Sequence, residues 1–200
     1  MNNSIKVLYK EASFGNFQKI KNIFENNKFS QQEIDEAFRQ CIHNFNKSQK
    51  DSFEYCILLF LENIQEINFR NPKYNHTTIL MYSIDESQDT ATKLIISKYK
   101  ENLDMNLTDN NGENTLFHLV NNDNFSTKTK IEFIKDFFLN DSNLYSKNNR
   151  NETIQNILES KGCSDLLGEI KNKIKESKFD QNKLTSLYNN KKYKELNEII

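Results

Sequence analysis

Apolar residues recur at helical spacing along most of the chain, in short bursts that polar segments separate. Ile20, Ile23 and Phe24 form one burst, and Ile131 and Ile134 belong to another. Residues three and four positions apart share one face of an α-helix, so each burst marks the buried side of a helix. The sequence lacks stretches of alternating apolar and polar residues between turn residues, which would predict β-strands. The pattern predicts an all-α fold.

The bursts predict helices of about 8 to 14 residues, the ordinary range in globular proteins. Helices this short are stable only when their apolar faces pack on neighbours, so we expect packed helix pairs. We expect about five such pairs over residues 1–180 and a capping helical segment over 181–200, because terminal units of a repeat array are usually atypical.

One short run of residues recurs along the chain. Asn68, Asn106 and Asn143 stand at nearly equal spacing, each two positions after an acidic residue and directly before Phe or Leu. Each run is followed by the start of an apolar burst, near residues 79, 116 and 154. Self-similarity at a nearly fixed period is the signature of repeat architectures. The chain is therefore predicted to be an array of similar helical units.

The best-formed copy of this run, Asp104 to Leu119, resembles the junction of two ankyrin repeats. An acidic residue, an apolar residue and Asn close one repeat, and Asp109-x-x-Gly112 opens the next. Gly112 can adopt a positive φ in a tight turn, and Leu116 and Leu119 fall on one face of the following helix. The resemblance implies an ankyrin-like helical repeat solenoid with short hairpin loops, whose tips project from the helices.

An irregular solenoid of another family, such as a tetratricopeptide-like array, is the alternative fold. The Pro that opens the first helix of an ankyrin repeat is replaced by Ile79, Thr115 and Thr153, and Leu187 to Ile200 hints at a further helix. The two folds differ at one place. An ankyrin array requires a hairpin at Asp104 to Gly112, whereas a tetratricopeptide array requires helix on both sides and no projecting loop.

Composition narrows the class of partner and the compartment. A net charge of -1 provides no general attraction to nucleic acid or to an anionic membrane. No apolar run approaches the roughly 20 residues of a membrane-spanning helix, and the N-terminus lacks the apolar region of a signal peptide. The 3 cysteines are an odd number without Cys-x-x-Cys spacing, which is typical of reduced thiols. We expect an intracellular, cytoplasmic protein, with the nucleus as the alternative compartment.

Motifs for catalysis, metals and cofactors are absent from the sequence. His43, His76 and His118 are too scattered to form a metal-ligand pair on a helix, and the 4 glycines form no phosphate-binding loop. His118 is interpreted as a structural or contact residue, because a catalytic base needs an oriented carboxylate and a nearby nucleophile. A deep pocket that joins His118 to an acidic partner would instead favour an enzyme. We expect no enzymatic activity, no metal and no cofactor.

The resemblance to ankyrin repeats also implies a binding face, made by the hairpin tips and the exposed ends of the first helices. The residues at the tips are Arg70, Lys73, Tyr74, Asn110, Asn111, Glu113, Lys147 and Arg150. The residues at the helix ends are Phe14, His43, Asn44, Asp85, Glu86, Asn121 and Asn122. Aromatic and Arg residues dominate the energy of most interfaces, so Phe14, Arg70 and Tyr74 are the expected anchors.

The function expected from these features is a non-enzymatic scaffold or adaptor that binds another protein, as a subunit of a larger intracellular hetero-complex. Neither nucleic acid nor a membrane is an expected partner. A pathogen effector that binds a host protein through the same surface is the alternative, as is a tetratricopeptide-like solenoid subunit.

Overall fold

The computed structural model describes residues 3–45, 50–137 and 139–197. Within these ranges the chain forms eleven α-helices and no β-strand. Two isolated antiparallel bridges, Asn71 with Thr77 and Thr108 with Asn114, close two of the connections between helices. The predicted all-α class is confirmed.

The helices fall into two sets that alternate along the chain. The first set comprises α1 (Asn3–Ser13), α3 (Gln31–His43), α5 (Ile79–Asp85), α7 (Thr115–Asn121) and α10 (Ile154–Ser160). The second set comprises α2 (Phe17–Asn26), α4 (Lys50–Asn63), α6 (Asp89–Tyr99), α8 (Thr127–Asp136) and α11 (Ser164–Asn197). A short helix, α9 (Asp141–Tyr145), lies between α8 and α10, and a 3₁₀ turn spans Pro72–Tyr74.

Most helices of each set pack on the next helix of the same set. α1 packs on α3, α3 on α5, α5 on α7, and α7 on α10. In the second set α2 packs on α4, α4 on α6, and α8 on α11. The two sets also contact each other within the pairs α1 with α2, α3 with α4, α5 with α6, and α10 with α11. The first helices therefore form a continuous row.

Side-chain caps explain where the short helices of the first set begin. Thr78, Asn114 and Thr153 precede α5, α7 and α10, and each side chain accepts a hydrogen bond from a backbone N–H in the first turn. Ser30 caps α3 and forms a reciprocal capping box with Glu33. Caps of this kind stabilise a helix by about 1 kcal/mol each. The caps stand at comparable positions in successive helices, so the starts of these helices are encoded locally.

The apolar bursts form one core between the two sets of helices. Leu116 and Leu119 are both 0% exposed, as expected for one face of α7. Phe38 of α3 stacks on Phe60 of α4 with ring centroids 5.2 Å apart. The burial of such side chains stabilises the fold by about 1.5 to 3 kcal/mol each. Pairing with a neighbour is what makes these short helices stable.

Two regions depart from the arrangement expected from the sequence. Residues Asp141–Tyr145 form α9, whereas the matching runs at Asn68 and Asn106 are not helical. Asn140 and Asn143 account for this, because together they form a capping box that starts a helix. Helix α11 continues through residue 180, so the expected boundary of the capping segment falls inside one helix. Residues 198–200, at the end of that segment, lie outside the described residues.

None of the described helices combines the length and the apolar character needed to cross a membrane. This holds for α11 as well, although it is 34 residues long.

Candidate binding surface

Three turns precede first-set helices, and the second and third share one design. They are turn 1 (residues 71–77), turn 2 (residues 108–114) and turn 3 (residues 148–152). In turn 2, Asp109 Oδ1 accepts hydrogen bonds from the backbone N–H groups of Asn111 at 2.8 Å and Glu113 at 2.9 Å. In turn 3, Asn148 Oδ1 accepts from Arg150 and Glu152, both at 3.0 Å. Asp and Asn side chains stabilise turns in this way.

Each turn is also closed by a backbone hydrogen bond across its base. Asp109 N–H donates to the Glu113 carbonyl at 3.0 Å, and Asn148 N–H donates to the Glu152 carbonyl at 3.0 Å. Gly112 has a φ of 74°, and Asn151 occupies the matching position in turn 3 with a φ of 63°. Asn tolerates this left-handed conformation better than most residues. Turn 3 thus repeats turn 2 without its glycine.

The three turns lie side by side and are joined by hydrogen bonds. Asn110 N–H donates to the Asn75 carbonyl at 2.9 Å, which joins turn 2 to turn 1. Asn149 N–H donates to the Asn111 carbonyl at 2.8 Å, and Asn149 Nδ2 donates to the Asn110 carbonyl at 2.8 Å. Asn residues therefore link consecutive turns into a continuous edge beside the row of first helices.

Turn 1 is held on α3 by a buried ion pair. Arg39 Nε donates to Asp35 Oδ2 at 2.7 Å, and the two side chains are 0% and 1% exposed. Arg39 also donates to the Thr77 hydroxyl at 2.9 Å and to the Thr77 carbonyl at 2.7 Å. Burial raises the pKa of Asp35 above its ordinary value, and its bonds to Arg39 and Asn71 offset only part of that effect.

Two tyrosine rings enclose the Arg39 guanidinium. Its central carbon lies 4.6 Å from the ring centroid of Tyr74 and 4.7 Å from that of Tyr82. Tyr74 and Tyr82 also contact each other edge to face, with centroids 5.9 Å apart. Contacts between a cation and an aromatic face are strongest when water is excluded. Tyr74, an expected binding anchor, therefore has a structural role as well.

Two adjoining recesses open between the turns and the first helices. The turn recess is lined by residues of turns 1 and 2 and of α5 and α7, namely Lys73, Tyr74, Asn75, Thr77, Tyr82, Asp85, Asp109, Asn111, Glu113 and His118. The helix-end recess is lined by Asp85, Glu113, His118, Asn121, Asn122, Asp123 and Asn124. Asp85, Glu113 and His118 belong to both recesses. His118 thus stands at the junction of the two recesses.

His118 has one bonded and one unbonded ring nitrogen. Its Nδ1 lies 2.8 Å from Asp85 Oδ1, and its Nε2 lies 3.9 Å from Asp109 Oδ2, too far for a hydrogen bond. The side chain is 8% exposed, and Nε2 has no hydrogen-bond partner among the described residues. Burial alone would lower the pKa of His118, but Asp85, Asp109 and Glu113 outweigh it and raise the pKa above its ordinary value.

The Lys and Arg side chains near the recesses already form ion pairs with other carboxylates. Lys73 Nζ lies 2.7 Å from Glu36 Oε2, and the bond to Lys73 helps to hold the pKa of Glu36 below its ordinary value against the opposing effect of burial. Arg150 Nη2 lies 2.7 Å from Glu113 Oε1, and its Nε lies 2.8 Å from Glu152 Oε2. Asp85 and Asp109 therefore face His118 without a Lys or Arg between them.

The structure brings together about half of the residues expected to bind a partner. Those that line the recesses are Lys73, Tyr74, Asp85, Asn111, Glu113, Asn121 and Asn122. Those outside both recesses are Phe14, His43, Asn44, Arg70, Glu86, Asn110, Lys147 and Arg150. Phe14 lies between α1 and α2 and is 61% exposed. His43 Nδ1 lies 2.8 Å from Glu86 Oε2.

Glu113 and Asn122 need a correction, because both were expected at an exposed surface and both are buried. They are 8% and 9% exposed, respectively. Glu113 accepts hydrogen bonds from Asn148 Nδ2 and Arg150. Asn122 donates to the Ile84 carbonyl and accepts from the Asn124 N–H. Their side chains are thus used within the fold.

Several recess residues were not expected from the sequence. Asn75, Thr77, Tyr82 and Asp109 line the turn recess, and Asp123 and Asn124 line the helix-end recess. Tyr82 and Asp85 lie one helical turn apart on α5, a spacing that places them on one face. The pattern alone did not distinguish this face from an ordinary solvated one.

Among the described residues, no group of three or more His, Cys, Asp or Glu side chains is arranged to hold a metal ion. No protein-family model matches the chain, and no curated protein matches it either. The resemblance to ankyrin repeats therefore stays a prediction from the sequence.

Proposed function

We propose that the chain is a non-enzymatic protein-binding scaffold or adaptor, a subunit of a larger intracellular complex. The observation that carries this proposal is the pair of adjoining recesses between the joined turns and the first helices. A row of similar units presents an extended surface of this kind to a partner. The surface combines exposed polar groups with aromatic rings, which are frequent anchors in interfaces.

The proposal includes an ankyrin-like repeat solenoid, and hydrogen bonds between successive segments of the chain support it. Asn75 Nδ2 donates to Asp109 Oδ2 at 2.8 Å, and Asn148 Nδ2 donates to Glu113 Oε1 at 3.0 Å. Asn143 Nδ2 donates to the Met105 carbonyl at 3.1 Å, next to the matching Asn106. Each bond joins one unit to the next. Contacts that are confined to neighbouring units are what a repeat array requires.

The hairpin at turn 2 favours the ankyrin-like arrangement over a tetratricopeptide-like one. Thr108 and Asn114 form an antiparallel bridge, and the Gly112 N–H donates to the Asp109 carbonyl at 3.1 Å within the turn. A tetratricopeptide array would place helix on both sides of a short connection instead. A pathogen effector would use the same surface, so that alternative differs in the partner and not in the site.

The pair of His118 and Asp85 is the feature that would favour an enzyme. A base needs a reacting group within hydrogen-bond reach of its free nitrogen. The Thr77 hydroxyl in the turn recess is already engaged, since it donates to the Tyr74 carbonyl at 2.8 Å and accepts from Arg39 at 2.9 Å. A binding role accounts for the recess without a nucleophile.

Affinity purification from the native cells tests the proposed surface. Asn111→Arg places a long cation at the mouth of the turn recess, and Asn22→Arg makes the same change on the exposed surface of α2 as a matched control. Mass spectrometry is expected to find a set of proteins that copurify with wild type and with Asn22→Arg but are depleted with Asn111→Arg. Circular dichroism melts establish that both variants are folded. Equal recovery with the two folded variants would overturn the proposal.

A further inference from the structure

His118 lies among carboxylates that come from two other elements. Asp85 is the last residue of α5, and Asp109 and Glu113 belong to turn 2. The Asp85 side chain is 44% exposed, whereas the side chain of His118 is 8% exposed. Asp85 therefore lies on the exposed side of this site, and His118 and Asp109 lie on its buried side.

The free nitrogen of His118 distinguishes this site from a mere acidic cluster. Nε2 is buried and lacks a hydrogen-bond partner among the described residues, although its ring lines both recesses. Leaving a buried polar atom unpaired destabilises the fold. A ligand group that bonds to this nitrogen would recover that cost.

The surrounding charges determine which kind of ligand fits. Lys73 of turn 1 is paired with Glu36, and Arg150 of turn 3 is paired with Glu113 and Glu152. At the end of α7, Asp123 is paired with Lys161, and Lys130 Nζ donates to the Val120 carbonyl. Directly after α5, Glu86 Oε2 lies 2.8 Å from His43 Nδ1.

Among the described residues, Asp85 and Asp109 form no ion pair with a Lys or Arg side chain, and both face His118. Asp109 accepts hydrogen bonds from the side-chain amides of Asn75 and Asn111 and from the backbone N–H groups of Asn111 and Glu113. All of these donors are neutral amide groups. An anionic ligand would be repelled by the two carboxylates, and a cationic ligand would be attracted. The charge balance of the site thus selects a cation.

We propose that this site binds one Lys or Arg side chain of the partner polypeptide, and that the bound cation displaces a proton from His118. The inference rests on the proposed protein-binding function. In the neutral ring, the Nδ1 N–H donates to Asp85, and Nε2 accepts an N–H from the ligand. In the charged ring, Nε2 carries its own proton and repels the cation. When the ring is charged before binding, as it is below the His118 titration midpoint, binding therefore releases its Nε2 proton to the solvent.

Nuclear magnetic resonance of the 200-residue chain tests this competition directly. The probes are Nα-acetyl-arginine amide and its neutral isostere Nα-acetyl-citrulline amide, at matched ionic strength. The arginine probe is expected to shift the His118 ring resonances saturably and to move the His118 titration midpoint to lower pH, whereas citrulline does neither. Below that midpoint the affinity of the arginine probe should fall up to tenfold for each unit that the pH decreases, because one proton is displaced. His43 and His76 are internal controls.

Two variants define the outcomes. Asp85→Asn removes the exposed carboxylate and should weaken binding of the arginine probe at least several-fold. His118→Gln should retain binding but lose its pH dependence.

Equal effects of arginine and citrulline, unchanged binding in Asp85→Asn, or stronger binding of Nα-acetyl-glutamate amide would each overturn the inference. If the probes fail while Asn111→Arg still depletes the partners, only this inference falls. If Asn111→Arg also has no effect, the proposed function falls too.

Discussion

Two sites in this molecule place a basic side chain against acidic residues and a turn, yet they differ in how fully that side chain is bonded. Arg39 uses all three guanidinium nitrogens, on Asp35 and Thr77, and lies against two tyrosine rings. His118 bonds through one nitrogen and leaves the other unpaired in a recess. The first site is a closed structural contact. The second has unused bonding capacity, which is what a binding site requires.

The closed site around Arg39 and Asp35 also contains one atom without a hydrogen-bond partner. Asp35 Oδ1 also lacks a hydrogen-bond partner among the described residues. Asp35 is 0% exposed, however, and lines neither of the two recesses. An unpaired buried atom therefore indicates a candidate binding site only where its residue lines a recess, as His118 does.

Loss of Arg39 is expected to have the largest effect on the fold. Arg39→Met leaves Asp35 buried without its partner and should lower the free energy of unfolding by about 3 to 5 kcal/mol. Urea denaturation followed by circular dichroism measures this change. The double variant Arg39→Met with Asp35→Leu should recover much of the loss, since it removes the unpaired charge. A single variant as stable as wild type would contradict the structural role of this ion pair.

Exposed anchors test whether binding energy is concentrated near the open site. Arg70→Ala and Phe14→Ala should each weaken partner binding by about 1 to 3 kcal/mol with the fold intact. Isothermal titration calorimetry with an identified partner measures this. Both residues lie outside the recesses, but Arg70 directly precedes turn 1 whereas Phe14 lies between α1 and α2, so a loss at Arg70 alone would place the interface at the turn 1 side of the molecule. Wild-type affinity in both variants would remove these residues from the interface.

The edge of joined turns can be tested at two glycines with similar backbones. Gly112 and Gly162 have φ values of 74° and 67°. An added Cβ at Gly112 would lie 2.9 Å from Asn149 Oδ1, whereas nothing lies within 4 Å of one at Gly162. Each Ala variant should lose about 1 to 2 kcal/mol of stability from the left-handed backbone. Thermal melts should show a greater loss for Gly112→Ala, and equal losses would argue against contact between turns 2 and 3.

The open site should also affect stability through pH, and this is the smallest expected effect. The pKa of His118 is raised in the folded state, so the folded protein holds that proton more tightly than the unfolded chain. The resulting stability is fully present below the unfolded pKa of about 6.5 and is lost as pH rises through the folded pKa. Denaturation across this range should show that decline in wild type and not in His118→Gln. A parallel profile in the two proteins would contradict the raised pKa.

Sequence reasoning identified the best-formed turn, turn 2, but not the residue that takes the place of its glycine in turn 3. Gly112 marked turn 2 because glycine readily adopts a positive φ. In turn 3 the matching residue is Asn151, and the chain is rich in Asn, so its position there carried no signal. The expected repeat at Asp141 became a helix because Asn140 and Asn143 form a capping box. Local hydrogen bonding thus overrode the resemblance at that point.

The candidate binding surface was predictable only in part. Lys73, Asn111 and Asp85 were expected at tips and helix ends, and they do line the recesses. Burial of Glu113 was not predictable, because Asn148 and Arg150 that bond to it come from the next turn. The acidic partner of His118 was likewise hidden, since Asp85 lies on another helix. Residues far apart in the sequence carry no local sign that they will meet.

The sequence by itself determined the all-α class, the starts of the short helices and the buried faces, because caps and helical periodicity act within a few residues of each other. Tertiary structure alone decided which polar groups are used up and which stay open. Arg39 is satisfied because turn 1 and α5 come to it, whereas His118 receives Asp85 on one nitrogen only. Packing between successive units made that distinction, since each unit supplies bonds that its neighbour lacks.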